Sequence, residues 1–398
     1  MADPKVAQAN RRFLSGNDAV AWGARLARPK VIAAYPITPQ TTVIERLAEW
    51  HADGELACEF LRVESEHSAL SACMGASLMG ARAFTATSSQ GLLYMAECLW
   101  YASGGRWPMV MMNANRALAL PWNIYGDQQD SMGLLSCGWI QYYIENAQEA
   151  LDMTLQAFAI AEHPAVMTPI MLNLDGFVLT HTYEPVEIPP EQEADAFLPP
   201  FNPSNKFDLE KPVNAGFTAG PDHYLEWKAQ QHEALLRALP VAEEVNARFS
   251  ARFGRDHGGA VVAESCADAE VILVVLGSLA GTVREVVEAR RAQGVKVGLL
   301  KIRCLRPFPA ESVAEALSRA KAVGVVEKAL SFGSTGPVFA DVSSALINRA
   351  ERPRLQNFIV GLGGREITRE DIDGIIDSLL AGDGPIQRWI GLREESNG

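Results

Sequence analysis

The chain has 398 residues, 48% of them hydrophobic and 21% charged, a balance that excludes a disordered chain, a collagen and a disulfide-stapled mini-protein. A length of this order suggests two or three domains with an apolar core of their own. Lys and Arg number 35 against 48 Asp and Glu, a formal charge of −13, so the overall electrostatics oppose a phosphate backbone and nucleic-acid binding is not expected.

Taken in chain order, the first 180 residues alternate short apolar runs with helical patterns. Strands are predicted at 31–35, 83–87, 108–112 and 169–174, with helices over 65–80, 91–104 and 146–163 between them. Such alternation predicts a mostly parallel sheet covered on both faces. From 182 to 222 prolines fall at 185, 189, 190, 199, 200, 203, 212 and 221 among acidic residues, which predicts an extended, irregular strap. A helical stretch over 224–253 is expected to break at Pro240. A second α/β unit begins near Ala260, with strands at 271–276, 295–302, 322–326 and 358–362 and helices at 277–294, 309–320, 337–349 and 369–380. The expected division is therefore 1–182, a strap and helical linker over 183–256, and 257–398.

Cys58, Cys73, Cys98, Cys137, Cys266 and Cys304 form no Cys-x-x-Cys pair, so no metal or iron–sulfur site is expected within this chain. The first dozen residues lack the apolar core of a secretory signal, and no apolar stretch is long enough to span a bilayer. A cytoplasmic protein without membrane contact is expected.

Several segments carry candidate chemistry. Tyr35-Pro-Ile-Thr-Pro39 follows a strand, where open α/β sheets bind ligands; a rigid strand-to-helix connection is the plainer reading. Glu64-Ser-Glu66-His67 opens a helix dense in small residues, so one carboxylate serves the helix dipole while the other is free to meet a ring nitrogen. His67 reads as structural. Thr85-Ala-Thr87-Ser88-Ser89-Gln90-Gly91 is a hydroxyl-rich turn into a helix, for which N-capping by Ser88 or Ser89 is the simpler explanation. Arg116 lies just past another strand, placed to grip a carboxylate or to form a surface ion pair. Gly361-Leu-Gly363-Gly364 lacks the spacing of a dinucleotide loop. Gly382-Asp383-Gly384 matches the opening of the thiamine diphosphate motif, but only 14 residues follow and no Asn pair is among them. A diphosphate–metal site is not expected in this chain.

Tyr35-Pro-Ile-Thr-Pro39, Val63-Glu-Ser-Glu66, Thr87-Ser-Ser-Gln-Gly-Leu92, Asn115-Arg-Ala-Leu118, Gly126-Asp127 and Asp175-Gly-Phe177 occur in this order. Together they resemble the alpha subunit of the 2-oxoacid:ferredoxin oxidoreductases, along nearly the whole chain. The phenylglyoxylate dehydrogenase branch is the nearest in pattern, and pyruvate-type subunits share the same motifs. The resemblance implies an α/β fold with a thiamine diphosphate pyrimidine-binding domain, followed by a transketolase C-terminal-like α/β domain. It implies that Glu66 bonds the pyrimidine nitrogen, that Ile37, Ser89 and Gly91 contact the cofactor, and that Arg116 and Thr38 hold the substrate carboxylate.

By the same resemblance the diphosphate, its Mg2+ and 4Fe-4S clusters lie on partner subunits: a beta chain, a gamma chain, a ferredoxin-like delta chain and, in some complexes, a flavin/NAD subunit. Coenzyme A is the co-substrate, and electrons leave to ferredoxin or NAD. The strap is a candidate clasp around a partner. Where pyruvate-type members have Gly-Asp-His, this chain has Gly126-Asp127-Gln128, which removes a titratable imidazole. Trp122 and Tyr125 follow Arg116 and are candidates for an aromatic acyl pocket or for core or interface packing. Two alternatives stay open: a scaffold subunit that has lost activity, and the beta chain of a lipoamide-linked 2-oxoacid dehydrogenase.

Overall fold

A computed structural model describes residues 10–393 except 205, 213 and 217. The chain opens with β1 (Arg11–Ser15) and α1 (Gly16–Ala27), whose cap Ser15 accepts the Asp18 N–H. The first unit continues through β2 (Val31–Ala34), α2 (Thr41–Ala52), β3 (Glu59–Arg62), α3 (Glu66–Leu78), β4 (Ala83–Thr87), α4 (Ser89–Tyr94) and α5 (Ala96–Gly104). After these come β5 (Val110–Asn115), α6 (Gln129–Met132), β6 (Ile140–Tyr143), α7 (Ala147–Ala161), β7 (Ile170–Asp175) and α8 (Val178–His181). The connecting region holds β8 (Tyr183–Glu187), α9 (Glu191–Phe197), α10 (Pro221–Leu236) and α11 (Ala238–Phe253).

The second unit comprises β9 (Val261–Glu264), β10 (Val271–Leu276), α12 (Leu279–Ala292), β11 (Val297–Ile302), β12 (Cys304–Arg306), α13 (Ala310–Leu317), β13 (Ala322–Glu327), α14 (Pro337–Leu346), β14 (Arg354–Ile359), α15 (Arg369–Ala381) and β15 (Gln387–Trp389).

The first sheet has seven strands in the order β12-β6-β7-β5-β4-β2-β3, all parallel except β12. Successive side chains point to opposite faces. Phe84 and Ala86, Val110, Met112 and Ala114, and Leu172 and Leu174 pack with α1, α2, α7 and α11. Ala83, Met111 and Met171 face the other way and pack with α3, α4 and α5. Burial on both faces is why these strands read as continuous apolar runs.

The second sheet, β15-β14-β13-β10-β11-β9, is built likewise and is parallel except for β9. Ile272 and Val274 pack with α13 and α14, and Leu273 and Val275 with α12 and α15. One strand crosses between the units: β12 follows β11 directly in sequence yet pairs antiparallel with β6, closing that edge of the first sheet.

The first part of the strap is more regular than its prolines suggest, with a strand at Tyr183–Glu187 and a helix at Glu191–Phe197. Pro185 sits in β8, which among the described residues pairs with β1 alone, so its missing N–H removes no bond from a central ladder. Pro189 and Pro190 immediately precede α9, where a missing N–H is tolerated. The strap then runs back along its own first unit, with Arg82 Nη2 donating to the Pro199 carbonyl at 2.7 Å and Phe207 N–H to Leu78 O at 2.8 Å. The helical linker breaks at Arg237 rather than Pro240, which leaves the proline in the first turn of α11, free of the preceding helix. Among the described residues no helix is long and apolar enough to cross a membrane.

Candidate active site at the carboxyl ends of β2, β4, β5 and β7

β7, β5, β4 and β2 are neighbours and parallel, so the segments leaving their carboxyl ends share one rim of the sheet. Tyr35–Pro39 leaves β2, Ser88–Gly91 leaves β4, Arg116 follows β5 and Gly176 follows β7. Gln40 Nε2 donates to Tyr35 O at 3.0 Å and Asn17 Nδ2 to Pro39 O at 2.7 Å, which pins the first of these turns. Thr38 keeps its side chain exposed while its carbonyl accepts Arg116 Nη1 at 2.7 Å. Ile37 is half-buried beside it.

Glu66 is the first residue of α3, behind the cap Ser65, whose hydroxyl accepts the Ser68 N–H. Its neighbour Glu64 stays exposed and accepts from the Ser68 hydroxyl, which holds its carboxyl below the usual range. The ambiguity between the two acids resolves by burial: Glu66 is 8% exposed and makes no hydrogen bond among the described residues. It lies against Gly91 so closely that a Cβ there would sit 2.7 Å from Glu66 Oε1 and 2.7 Å from the Thr87 hydroxyl. No side chain larger than hydrogen fits that place without moving the carboxylate.

Ser88 and Ser89 do not act as the expected caps. Ser88 donates its hydroxyl to Ala114 O of the neighbouring strand at 2.7 Å and accepts no N–H from the helix it precedes. Ser89 has a positive φ of 52°, which turns its hydroxyl inward to Ala117 O at 2.8 Å and Gln90 Oε1 at 2.7 Å.

Arg116 is not in a surface ion pair. It is 7% exposed, with Nη2 on Gln90 Oε1 at 3.3 Å in addition to the Thr38 carbonyl. Burial lowers its pKa, opposed by the charges of Asp130 and Glu66, and it remains a cation at neutral pH. Its Nε and the Thr87 hydroxyl are both buried without a partner, polar atoms that a bound molecule would satisfy.

Further residues complete the rim. Asp130, wholly buried on α6, accepts five N–H groups, from the end of β5, the start of α4 and its own helix, and burial pushes its carboxyl up to about 6. In sequence Asp130 stands among polar residues, Gln128-Gln129 before it and Ser131 after it, fourteen positions past Arg116, so no local pattern marks it. Gln128, which stands in the place of that imidazole, is buried and donates to Asp175 Oδ1 at 3.0 Å. Asp175 in turn receives the Ser278 N–H at 3.0 Å and Lys328 Nζ at 3.2 Å from the second unit. Burial is the largest single influence on the Asp175 carboxyl and raises it, but the Lys328 charge and the Ser278 hydrogen bonds together outweigh it and the net shift is downward.

Trp122 and Tyr125 are exposed rather than core residues; Tyr125 packs on Phe177 with centroids 5.1 Å apart. The 361–364 loop docks there: Gly363 N–H donates to Asp127 Oδ2 at 3.0 Å and Gly364 N–H to Gly126 O at 2.9 Å. His67 lies 3.4 Å from the Cys98 sulfur. Elsewhere, a cavity of about 1310 Å³ under the strap is walled by residues such as Trp100, Trp107, Pro200 and Lys228 and includes none of the rim residues. Among the described residues no group of His, Cys, Asp and Glu is arranged to hold a metal ion.

Residues 22–247 match the family model described as pyruvate flavodoxin/ferredoxin oxidoreductase, thiamine diphosphate-binding, and residues 269–372 match the pyruvate:ferredoxin oxidoreductase core domain II. The chain belongs to this oxidoreductase family. All of Ile37, Thr38, Glu66, Ser89, Gly91 and Arg116 fall within the thiamine-binding match. Pyruvate synthase subunit PorA of Methanothermobacter thermautotrophicus is 47% identical across 97% of this chain and 99% of its own length. Ketoisovalerate oxidoreductase subunit VorA of Pyrococcus abyssi is 44% identical across 93% of each.

The fold is shared with a 2-oxoglutarate:ferredoxin oxidoreductase from Magnetococcus marinus, solved with 2-oxoglutarate, coenzyme A and succinyl-CoA bound (TM-score 0.72, 20% identity). This chain aligns over 93% of its residues with 65% of that longer chain. A split-gene transketolase shares the fold more distantly, with a TM-score of 0.51 at 12% identity over 93% of this chain and 99% of that one. As a family member with relatives of this kind over nearly its full length, the chain is the alpha subunit of a 2-oxoacid:ferredoxin oxidoreductase.

Proposed function

We propose that this subunit binds the pyrimidine half of thiamine diphosphate and, with partner chains, oxidatively decarboxylates a small 2-oxoacid in the cytoplasm. The overall change converts the 2-oxoacid anion and coenzyme A into acyl-CoA, CO2, two electrons and a proton. The electrons pass singly to iron–sulfur clusters on partner subunits and on to ferredoxin. The single observation that carries this reading is the Glu66 carboxylate, 8% exposed and without a hydrogen bond among the described residues, held against the bare backbone of Gly91. A flat ring entering there meets a carboxylate that accepts no hydrogen bond from the described residues and has no Cβ facing it across Gly91.

Thiamine diphosphate, when bound, supplies the carbon nucleophile for the ketone and the sink for the electron pair left by CO2. Glu66 holds a proton at the pyrimidine ring nitrogen, which favours the tautomer able to act as base. Gly91 and Ile37 would bound the ring, with the Ser89 turn held in place by its bonds to Ala117 O and Asp130. The orphaned Thr87 hydroxyl is available to the same ring. Arg116 supplies the positive charge facing the substrate carboxylate and Thr38 an exposed hydroxyl beside it, so that the ketone carbon is oriented before CO2 departs. A beta chain supplies the diphosphate and Mg2+ site, and gamma and ferredoxin-like delta chains complete the electron path.

Among substrates, pyruvate and 2-oxoisovalerate have support from the PorA and VorA relatives; phenylglyoxylate rests on the exposed Trp122 and Tyr125 near Arg116. NAD as the final acceptor requires an added flavin subunit. The test is coenzyme A-dependent reduction of a viologen dye by the assembled complex, with the three acids in parallel. Turnover of any one supports the reading, and its absence with thiamine diphosphate and clusters in place sinks it.

A further inference from the structure

Asp130 is wholly buried, yet each of its oxygens is crowded by donors. Oδ2 accepts the backbone N–H of Ser89 at 3.0 Å, the backbone N–H of Arg116 at 3.2 Å and Asn113 Nδ2 at 3.3 Å. Oδ1 accepts Asn115 Nδ2 at 2.7 Å and the Ser131 N–H at 2.8 Å. Both asparagines turn their Nδ2 toward this carboxylate and leave their Oδ1 atoms buried without a partner. Three separate elements, the end of β5, the start of α4 and the short α6, are thereby tied to one side chain. Of the three backbone N–H groups it holds, one belongs to the residue carrying the guanidinium and one to the residue two before Gly91.

We propose that Asp130 is a positioning residue of the substrate site, a buried carboxylate that sets the spacing between Arg116 and the Gly91–Glu66 pair. This rests on the thiamine-dependent reading above. The Arg116 N–H and the Ser89 N–H converge on the same oxygen, so neither the β5 terminus nor the α4 turn can drift without breaking the other's bond. An amide cannot substitute. Whichever way it turned, its NH2 would confront at least two N–H donors and push the two segments apart. Arg116 hydrogen-bonds to Thr38 and Gln90 through its Nη atoms, so a shift of its backbone is transmitted to the tip that faces the substrate.

The experiment uses the assembled complex with Asp130→Asn and Asn115→Ala. For Asp130→Asn, the KM for the 2-oxoacid rises by about tenfold or more while the KM for coenzyme A stays put, since only the first depends on Arg116. Asn115→Ala, which removes one donor and retains the carboxylate, moves the same constant the same way by about threefold. In parallel, hydrogen exchange at the Ser89 and Arg116 amides accelerates in both variants. An unchanged 2-oxoacid KM with kcat reduced only in step with the folded fraction overturns the proposal, as does unaltered exchange at those two amides. An inactive wild-type complex would instead sink the functional reading, and the exchange measurement would then decide the positioning role by itself.

Discussion

Glu66 and Gly91 act as one unit: the carboxylate has its place because the facing residue has no side chain. Removing the acid without changing its shape, as in Glu66→Gln, is expected to lower kcat roughly 10²–10⁴-fold. Thiamine diphosphate binding, followed by calorimetry on the complex, should remain. A kcat within about threefold of wild type would remove Glu66 from the chemistry. Gly91→Ala tests the same contact from the other side. Alanine suits the helical backbone there, so only the approach to Glu66 and Thr87 suffers. We expect a stability cost of about 1–3 kcal/mol from overpacking and a rate loss of roughly 10²-fold as the carboxylate is displaced. Wild-type rate in the alanine variant would show that the close approach is incidental.

At the scale of elements, the second unit offers a pH test. Glu327, at the end of β13, is buried and caps α14 by accepting the Val338 and Phe339 N–H groups at 2.9 and 3.2 Å. Burial pushes its carboxyl up to about 7, against the pull of those bonds. The folded state therefore holds a proton that the unfolded chain has released, and stability falls as pH rises from about 4.5 to about 7. In Glu327→Gln that dependence disappears, so the melting temperature of the variant relative to wild type should climb between about pH 5 and pH 8. A difference independent of pH would mean the group is ionised throughout.

The legibility of the sequence divides along similar lines. Strands buried on both faces, such as Val271–Leu276, announce themselves as unbroken apolar runs. The edge strand Glu59–Arg62 has only two apolar residues, flanked by charges, and is mostly exposed, so it carries no such signature. β8 hides behind Pro185, because a proline argues against a strand unless the position is known to be at an edge. The rim residues Thr38, Glu66 and Arg116 stand in short local motifs after strand ends. Asp130 was invisible because four of its five donors come from residues 14 to 41 positions away, and only the fold brings them together.

Across the whole molecule, the two units meet over buried charge. Glu149 of α7 accepts Lys301 Nζ at 2.9 Å and Arg303 Nε at 2.5 Å from the second unit, with all three nearly inaccessible to water. Burial alone would raise the Glu149 carboxyl, but the charges of Arg303 and Lys301 outweigh it and hold it well below the usual range. Its contribution to stability is thus present at neutral pH and lost as pH falls below the ordinary carboxylate range. Glu149→Leu strands Arg303 in the interior, whereas Lys301 keeps Glu145 at 2.7 Å. A loss of roughly 3–5 kcal/mol is expected, read from the urea midpoint. A loss under about 1 kcal/mol would place this cluster with weakly contributing surface pairs.

The crossing of Cys304–Arg306 into the first sheet bears on whether the polypeptide can be cut in two. A gene split between 256 and 257 would leave β6 with bare N–H and C=O groups along one side, a template for pairing with any extended chain nearby. The amino-terminal piece made alone should aggregate. Supplied in trans with the carboxyl-terminal piece, it should regain solubility, because the missing strand returns as a complementing segment from the second polypeptide.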